Sequence, residues 1–473
     1  MASAANPEPE PIVGTDGPIS INTKVEYASL PKPAAGSGIV TQRVFGLVTV
    51  QAAQQEAEAP AERQPMDVVA ILDVSGSMGG RKIQQVQEAT RFLISQADPR
   101  DRLSIVTFNQ AANRALKLSK MNPEGKDNAN VAVLRLTAGG GTSIAAGLDM
   151  GLDIMEQRRQ KNKVASILVL TDGQDASTHA RLPSLISRAE RAHCSIYAFG
   201  FGADHDARLL TELAEQARTP FSFVEDTEAK IREAFAGTVG GLLSVVAQDI
   251  KLTLKFHVQL EALHTPFVTD HVSDTERTVT IPDVFAGERR DLLIELAVPM
   301  ESMQQCSDTL VLLEAAAQYK DLRSGGTVQS PSAPMQIEAV QEPQPEQEPD
   351  EDVCLQRERV QVKQALKEAM EQGNSGNFSS AQDILTEAEQ QLRPVGKRSA
   401  ASVALGQQLR EAHSQIENRS QYESVGRAMM SDAMQMHSVQ RCTNTNLSPA
   451  AQGSYMTPSQ ISHVSLSSMS PGF

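Results

Sequence analysis

The chain has 473 residues, with 58 Asp and Glu against 43 Lys and Arg, and a formal net charge of −15 at pH 7. That balance argues against binding to nucleic acid or to an anionic membrane, because phosphate groups are contacted by Lys and Arg. The four cysteines, Cys194, Cys306, Cys354 and Cys442, form no CxxC pair, which excludes an internally complete zinc finger.

The N-terminal part of the chain is predicted to contain two strands. Residues 1–18 are rich in Pro, Ala and Glu and are expected to be a disordered arm. Residues 19–65 hold the β-like runs "ISINTKVEYASL" and "QRVFGLVTVQA", which the turn-rich "PKPAAGSG" separates, and end in a connecting segment. We expect these strands to join a sandwich formed later in the chain.

Residues 66–245 alternate between strand and helix patterns. Segments with apolar residues at helical spacing lie between five apolar runs predicted as strands: Val68–Leu72, Leu103–Phe108, Ser166–Leu170, Ile196–Phe201 and Phe221–Val224. Buried strands alternating with helices predict an α/β domain whose sheet is doubly wound, mostly parallel and covered on both faces. In such sheets, ligands bind beyond the carboxyl ends of the strands.

The remainder of the chain is predicted to be a sandwich, a linker, helices and a tail. Residues 246–325 read as strands of an antiparallel β-sandwich, into which the α/β domain is inserted or which follows it. Residues 326–352 are predicted to be an acidic, Pro-rich linker, and residues 353–417 a helical hairpin broken at "GNSGN". Residues 418–473 are expected to be a mostly disordered tail with one short helix around residues 425–436.

Three short motifs place oxygen-bearing side chains at predicted strand ends. In "DVVAILDVSGSM" the strand ends on Asp73, and Ser75 and Ser77 follow at every second position. "TAGGGTS" puts Thr142 after three glycines, and "LVLTDG" puts Asp172 directly after another buried strand. Strand ends at one edge of a sheet can meet, so two carboxylates and three hydroxyls can converge. Such oxygen donors suit Mg²⁺ or Mn²⁺, whereas zinc prefers nitrogen or sulfur.

Simpler explanations exist for each motif alone. Ser75 or Ser77 by itself is typical of a helix N-cap, and Asp172 before a glycine is typical of a turn. A nucleophilic serine is not supported, because "VSGS" is not the G-x-S-x-G elbow. The segment Asp204–Asp206, which includes His205, is a rival metal or catalytic site, but helix capping accounts for its acids. We therefore expect no enzyme activity.

The three motifs together resemble the metal-ion-dependent adhesion site of von Willebrand factor type A domains. By that resemblance, the first loop would supply Asp73, Ser75 and Ser77 as metal ligands, the second loop Thr142 and the third Asp172. The resemblance also implies an α/β, Rossmann-like fold and a protein partner whose acidic side chain completes the coordination of the cation.

A second resemblance extends from about residue 19 to about residue 460. "AFAGTVGGLLSVVAQDIKL" and "FAGERRDLLIELAVP" are similar to the region that follows the A domain in the plant WAVY GROWTH family of RING-type ubiquitin ligases. Ligases of that family carry a RING domain ahead of the A domain, with Cys and His zinc ligands. Residues 1–65 contain neither Cys nor His, so this sequence is expected to lack the RING.

The sequence thus predicts a soluble cytoplasmic module that binds protein partners through a divalent cation. No basic start or apolar segment indicates a secretory signal, and no apolar run is long enough for a membrane span. The alternative is a non-catalytic substrate adaptor or regulatory subunit that pairs with a RING-bearing relative. A secreted protein of the inter-alpha-inhibitor heavy-chain type is a third possibility, against which the lack of a signal pattern counts.

Overall fold

The computed structural model describes residues 12–13, 17–33, 40–54, 63–201, 207–224, 228–342, 347–394, 399–442 and 455–469. The chain forms two compact units, and each combines two separate stretches of sequence. The first unit comprises Met1–Ala59 and Val245–Arg357, and the second comprises Pro60–Ser244 and Glu358–Phe473. The α/β domain therefore interrupts the sequence of the first unit.

The strands and helices are numbered along the chain. The strands are β1 (Ile12–Val13), β2 (Ile19–Val25), β3 (Ser29–Pro31), β4 (Thr41–Ala52), β5 (Met66–Asp73), β6 (Arg102–Phe108), β7 (Ala112–Lys120), β8 (Val164–Thr171), β9 (Ser195–Phe201), β10 (Phe221–Val224), β11 (Val245–Phe256), β12 (Gln259–His264), β13 (Val268–Ser273), β14 (Glu276–Phe285), β15 (Arg289–Pro299), β16 (Thr309–Asp321), β17 (Thr327–Gln329) and β18 (Ala333–Val340). The helices are α1 (Arg81–Gln96), α2 (Pro123–Leu134), α3 (Ile144–Glu156), α4 (Leu182–Arg191), α5 (Ala207–Ala217), α6 (Glu228–Leu242), α7 (Met300–Gln305), α8 (Glu351–Asn374), α9 (Phe378–Gln391), α10 (Ala400–Gln415), α11 (Arg419–Gln421), α12 (Arg427–Val439) and α13 (Pro458–Met469).

A six-stranded sheet with the order β10-β9-β8-β5-β6-β7 forms the centre of the second unit. All pairs are parallel except β6 with β7 at one edge. Every residue of β5 and β8 is buried, because helices cover both faces of the sheet. The predicted fold class is confirmed, and each of the five predicted strands is present.

Within residues 66–245, strand β7 and helix α2 were not predicted. Strand β7 lies at the sheet edge, where its Arg and Lys side chains are tolerated in contact with solvent. Helix α2 begins with Pro123 behind an Asn122 cap, whose side chain accepts a hydrogen bond from Gly125 N–H over 2.8 Å. Asn followed by Pro is a common start of a helix.

The first unit is a β-sandwich built from both ends of its sequence. One sheet has the order β12-β15-β4-β2, and β4 pairs antiparallel with β15 along its whole length, with Val48 opposite Leu292. The other sheet contains eight strands, among them β11, β14 and β16. Apolar residues of both sheets, such as Val48, Leu254 and Ile281, form one core. Strands from before and after the α/β domain therefore complete a single sandwich.

The prediction of a linker over residues 326–352 is wrong for the residues that form β17, β18 and the start of α8. Strand β18 pairs with β16 and with β3, and its alternate residues Met335 and Ile337 are buried. This period-2 pattern is typical of a strand, but it stands among prolines and acids that suggested a linker. The acidic end of the segment is also ordered, because Asp350 Oδ1 accepts hydrogen bonds from the N–H groups of Asp352 and Val353 at the start of α8.

The expected hairpin over residues 353–417 contains a third helix. Helices α8 and α9 are joined at Gly376, whose φ of +81° suits glycine at the end of a helix. Helix α10 follows in the same range and is linked to α8 by buried Glu358. The carboxylate of Glu358 accepts hydrogen bonds from Arg393 and from the Ser402 hydroxyl. These partners lie 35 and 44 residues away in sequence. The residues of α10 were expected to be helical, but the break between α9 and α10 was not predicted.

The expectation of a mostly disordered tail over residues 418–473 is also corrected, although α12 overlaps the short helix predicted around residues 425–436. Helix α12 packs against β10 at the sheet edge, where Asp432 accepts a hydrogen bond from Phe223 N–H over 3.1 Å and Gln435 donates to Thr219 O. Helix α13 packs against α6. Buried Met, Gln and Asp side chains hold these helices, and their contacts lie about 200 residues away in sequence.

Several predicted segments fall partly outside the described residues. They include most of the N-terminal arm, residues 343–346 of the acidic segment and residues 443–454 of the tail. Within the described ranges, no helix combines the length and the apolar character needed to cross a membrane.

Candidate functional site

The carboxyl ends of β5 and β8 lie side by side at the centre of the six-stranded sheet. The chain continues from β5 to β6 on one side, whereas β8 lies on the other side, so the strand order reverses between β5 and β8. A crevice opens at such a reversal, and ligands of α/β proteins bind there. Asp73 is the last residue of β5, and Asp172 directly follows β8. Two carboxylates therefore come from adjacent strand ends.

Asp73 is fully buried, and both of its carboxylate oxygens accept hydrogen bonds. Ser75 N–H donates to Oδ1 over 2.8 Å, and the Thr171 hydroxyl donates to Oδ2 over 2.5 Å. Burial raises the pKa of Asp73; hydrogen bonds from Thr171 and Ser75 oppose this, and the charge of Asp172 adds to it. A cation beside Asp73 would therefore favour its ionised form.

Side-chain oxygens connect the first loop with the third. Ser75 Oγ lies 3.1 Å from Ser77 Oγ, and the Ser77 hydroxyl donates to Asp172 Oδ1 over 2.7 Å. The other carboxylate oxygen, Asp172 Oδ2, lies 2.5 Å from Lys82 Nζ, and the Asp172 side chain is fully buried. Asp73, Asp172 and Lys82 thus bring two buried carboxylates and one ammonium group together at this edge of the sheet.

Glycines attach the second loop to the first. Gly139 N–H donates to Val74 O over 2.8 Å, and Gly76 N–H donates to Gly140 O over 2.9 Å. Gly140 has a φ of +89°, a left-handed conformation that glycine adopts without strain. These bonds hold the loop against the end of β5, and Thr142 follows two residues later.

Gly173 shows how closely the second and third loops approach each other. A Cβ atom at this position would lie 2.6 Å from Thr142 Cγ2, 2.9 Å from Thr142 Oγ1 and 3.1 Å from Asp73 Oδ2. Glycine is therefore needed for this approach. The Thr142 hydroxyl and the Asp73 carboxylate border the same space, so all three predicted loops contribute to one place.

The third loop also holds the start of α3. Asp175 Oδ2 accepts a hydrogen bond from Ile144 N–H over 2.8 Å, and Thr178 Oγ1 accepts one from Ala145 N–H over 2.9 Å. These bonds satisfy amide groups that a helix N terminus leaves without intrahelical partners. Because Thr142 lies two residues before α3, its position depends on this loop.

The structure brings the five predicted side chains to one edge and adds residues that the sequence analysis missed. Thr171 binds Asp73, and its signal was its position at the strand end next to Asp172. Lys82 binds Asp172 from the first turn of α1. A basic residue in the first turn of a helix is electrostatically unfavourable, and this feature of the sequence could have pointed to Lys82.

The structure does not test the rival site at Asp204–Asp206. Residues 204–206, with His205, lie outside the described residues. Cys194 is buried, and burial raises the pKa of its thiol to about 12, so it stays protonated at neutral pH. In the part of the chain that the structure describes, no group of three or more His, Cys, Asp or Glu side chains is arranged around a metal position. The β5–β8 edge differs in combining the predicted carboxylates of Asp73 and Asp172 with the predicted hydroxyls of Ser75, Ser77 and Thr142.

Comparison with known proteins agrees with this fold. Residues 67–236 match the family model of the von Willebrand factor type A domain. The E3 ubiquitin-protein ligase WAV3 of Arabidopsis thaliana is 33% identical over 257 residues, which are 51% of this chain and 32% of the ligase. The probable E3 ubiquitin-protein ligase WAVH2 of the same plant is 31% identical over 268 residues, 51% of this chain and 34% of that protein. The aligned segments span about a third of these relatives.

A solved structure of a von Willebrand factor type A protein from Catenulispora acidiphila has a TM-score of 0.62 to this chain, with 16% identity. The match covers 89% of this chain and 96% of that one, and at this identity it concerns the fold alone. Domains of this type generally mediate protein interactions and are usually not catalytic. The sheet order, the family match and these relatives together identify residues 67–236 as a von Willebrand factor type A domain.

Proposed function

We propose that Asp73, Ser75, Ser77, Thr142 and Asp172 bind one divalent cation, Mg²⁺ or Mn²⁺, and that an acidic side chain of a protein partner completes its coordination. The observation that supports this most directly is the convergence of oxygen atoms from three loops where the strand order reverses. The set contains no imidazole or thiol, so we propose a binding role and not a catalytic one.

The spacing of the oxygens suits a hard cation. Octahedral bonds of about 2.0–2.1 Å put adjacent ligand oxygens about 3 Å apart. The Ser75–Ser77 and Ser77–Asp172 oxygen pairs are 3.1 Å and 2.7 Å apart. Five side chains leave one of six positions for an oxygen from outside the chain. When bound, the cation would supply the positive charge that attracts a partner carboxylate.

The rim of the site is open, although the carboxylates are buried. Asp73 and Asp172 have almost no exposed surface, whereas Gly76, Ser77 and Gln174 are exposed. Small residues dominate the first loop, so a partner side chain would meet little steric hindrance there. This supports an approach of the partner carboxylate from the loop side.

Metal binding is tested by calorimetric titration of the full chain with Mg²⁺. We expect Asp73→Asn to weaken binding at least about tenfold, since a charged ligand becomes neutral, and Thr142→Val to weaken it less, since a neutral ligand is lost. Asp98→Asn makes the same chemical change at a partly exposed carboxylate outside the site and should leave the affinity unchanged. Equal affinity in wild type and Asp73→Asn would refute the assignment.

Partner binding is tested by affinity capture from native extract. Wild type, wild type with EDTA and Asp73→Asn are compared. Proteins lost in both of the latter are candidates for a metal-completed contact, and reconstitution with a purified candidate then measures its dependence on Mg²⁺. A captured set that neither chelator nor substitution alters would contradict a metal-mediated contact.

We propose as a second function that the chain is a non-catalytic adaptor or regulatory subunit of a RING-type ubiquitin ligase. Support comes from its similarity to WAV3 and WAVH2, which are named as ligases, over half of this chain. Ubiquitin transfer activity that co-purifies with the tagged chain, and that the purified chain alone does not show, is the expected result. Activity of the purified chain alone would overturn the adaptor proposal.

A further inference from the structure

We propose that Lys82 is an internal counter-ion of the candidate metal site and competes with the divalent cation for Asp172; this inference rests on the proposed function. Lys82 Nζ lies 2.5 Å from Asp172 Oδ2. The Asp172 side chain is fully buried and that of Lys82 is 17% exposed, so water screens this ion pair only weakly.

The position of Lys82 is unfavourable for a purely local reason. Lys82 is the second residue of α1, whose first turn contains no acidic residue and whose Gly80 cap makes no side-chain hydrogen bond. The positive end of the helix dipole disfavours a cation there. Residues that break a local rule in this way tend to occur at functional sites, where a distant partner compensates. Here the compensating group is a carboxylate 90 residues away in sequence.

Asp172 is the group for which Lys82 and the cation compete. Its Oδ1 accepts from the Ser77 hydroxyl, and its Oδ2 pairs with Lys82, so the chain's own donors engage both oxygens. A divalent cation that uses Asp172 would lie within a few ångströms of the ammonium group, and like charges repel at that range. Lys82 therefore stabilises the metal-free chain and weakens metal binding. Its side chain has to give up part of its contact with Asp172 when the cation binds.

The competition by Lys82 sets the concentration of divalent cation at which the site becomes occupied. Because Lys82 competes for Asp172, the cation binds the chain more weakly. A carboxylate from a partner therefore contributes a larger share of the free energy of cation binding. The site would thus respond to metal and partner together. This follows from charge and distance alone and requires no movement of the sheet.

The test compares Mg²⁺ titrations and thermal unfolding of the full chain in four forms besides wild type. Lys82→Met and Lys82→Gln remove the charge, and the Gln variant keeps a hydrogen-bond donor toward Asp172. Lys82→Arg keeps the charge. Arg81→Met is the matched control, because it removes one charge from the same helix turn at an exposed residue.

We expect both neutral Lys82 variants to bind Mg²⁺ about tenfold more tightly than wild type, because a nearby like charge is removed. In EDTA their melting temperature should fall, because the buried carboxylate loses its partner, and saturating Mg²⁺ should restore it. Lys82→Arg and Arg81→Met should behave like wild type in both measurements.

The experiment distinguishes failure of the Lys82 inference from failure of the proposed metal site. If wild type binds Mg²⁺ and the neutral Lys82 variants bind it no more tightly than Arg81→Met does, the competition is refuted while the metal site stands. If neither wild type nor any Lys82 variant binds Mg²⁺ or Mn²⁺, the proposed function fails and the inference fails with it.

Discussion

At residue 173 a hydrogen atom stands where any other amino acid would place a carbon atom. That carbon would lie closer to both side-chain atoms Thr142 Cγ2 and Thr142 Oγ1 than non-bonded atoms approach. We expect Gly173→Ala to lower the free energy of unfolding by about 1–3 kcal/mol, as overpacking does, and to turn the Thr142 hydroxyl away from Asp73. Mg²⁺ affinity measured by titration should fall about tenfold with it.

Gly139→Ala is the control for this substitution. Gly139 lies in the second loop, but a Cβ atom there would meet no heavy atom within 4 Å. Its stability and its Mg²⁺ affinity should therefore equal those of wild type. Unchanged affinity in Gly173→Ala would show that Thr142 is not a ligand.

At one glycine, helices α6 and α13 approach each other closely enough for their contact to be tested by a single substitution. A Cβ atom on Gly240 of α6 would lie 2.9 Å from Ser459 O and 3.0 Å from Gln460 Cα of α13. We expect Gly240→Ala to loosen α13 from α6, while α6 itself gains helix propensity of up to about 1 kcal/mol. Hydrogen exchange should therefore become faster in residues 458–469 and not in α6.

Ser459→Ala is the milder comparison at the same contact. The Ser459 hydroxyl donates to Gly240 O over 2.8 Å, and its removal deletes one hydrogen bond without adding bulk. Its effect on exchange in α13 should be smaller than that of Gly240→Ala. Equal protection of α13 in wild type and both variants would contradict the packing of this helix on α6.

Elements at the sheet edge show why part of the fold could not be predicted from sequence. Among the described residues, β10 is the last strand at its edge of the sheet, and Asp432 of α12 accepts a hydrogen bond from Phe223 N–H. An exposed strand edge is a risk for aggregation, so covering it is favourable. The two residues are 209 positions apart, so the short helix predicted around residues 425–436 gave no sign of the strand that it covers.

For the whole molecule, one buried histidine should make stability depend on pH. His437 of α12 is fully buried, with Nε2 2.7 Å from Gln408 Oε1 of α10. Burial, helped by the charges of Arg359 and Lys363, lowers the pKa of His437 from its ordinary value of 6.5 to about 3. The unfolded chain therefore binds one more proton than the folded chain between these pH values. Its contribution to stability is complete above pH 6.5 and is lost as the pH falls toward 3.

The change of the unfolding free energy with pH tests this prediction. His437 alone should contribute up to about 1.4 kcal/mol of unfolding free energy per pH unit below its ordinary pKa. Denaturant unfolding at several pH values between about 5 and 7 should show a shallower dependence for His437→Gln than for wild type. His257→Gln, which removes a histidine with a side chain 50% exposed, should keep the wild-type slope. Identical slopes in wild type and His437→Gln would show that His437 titrates normally.

The sequence by itself determined the alternation of strands and helices, the predicted fold class and the five oxygen-bearing residues of the candidate site. These features are local: an apolar run that ends on Asp73 or before Asp172 marks a strand end wherever the chain folds. Only the tertiary structure decided that Lys82 faces Asp172, that Thr171 binds Asp73, that α12 packs on β10 and that α13 is ordered. Most of these contacts join residues about 90 to 220 positions apart. The energies of these contacts depend on burial and on partners that are distant in sequence. A short segment of sequence indicates neither.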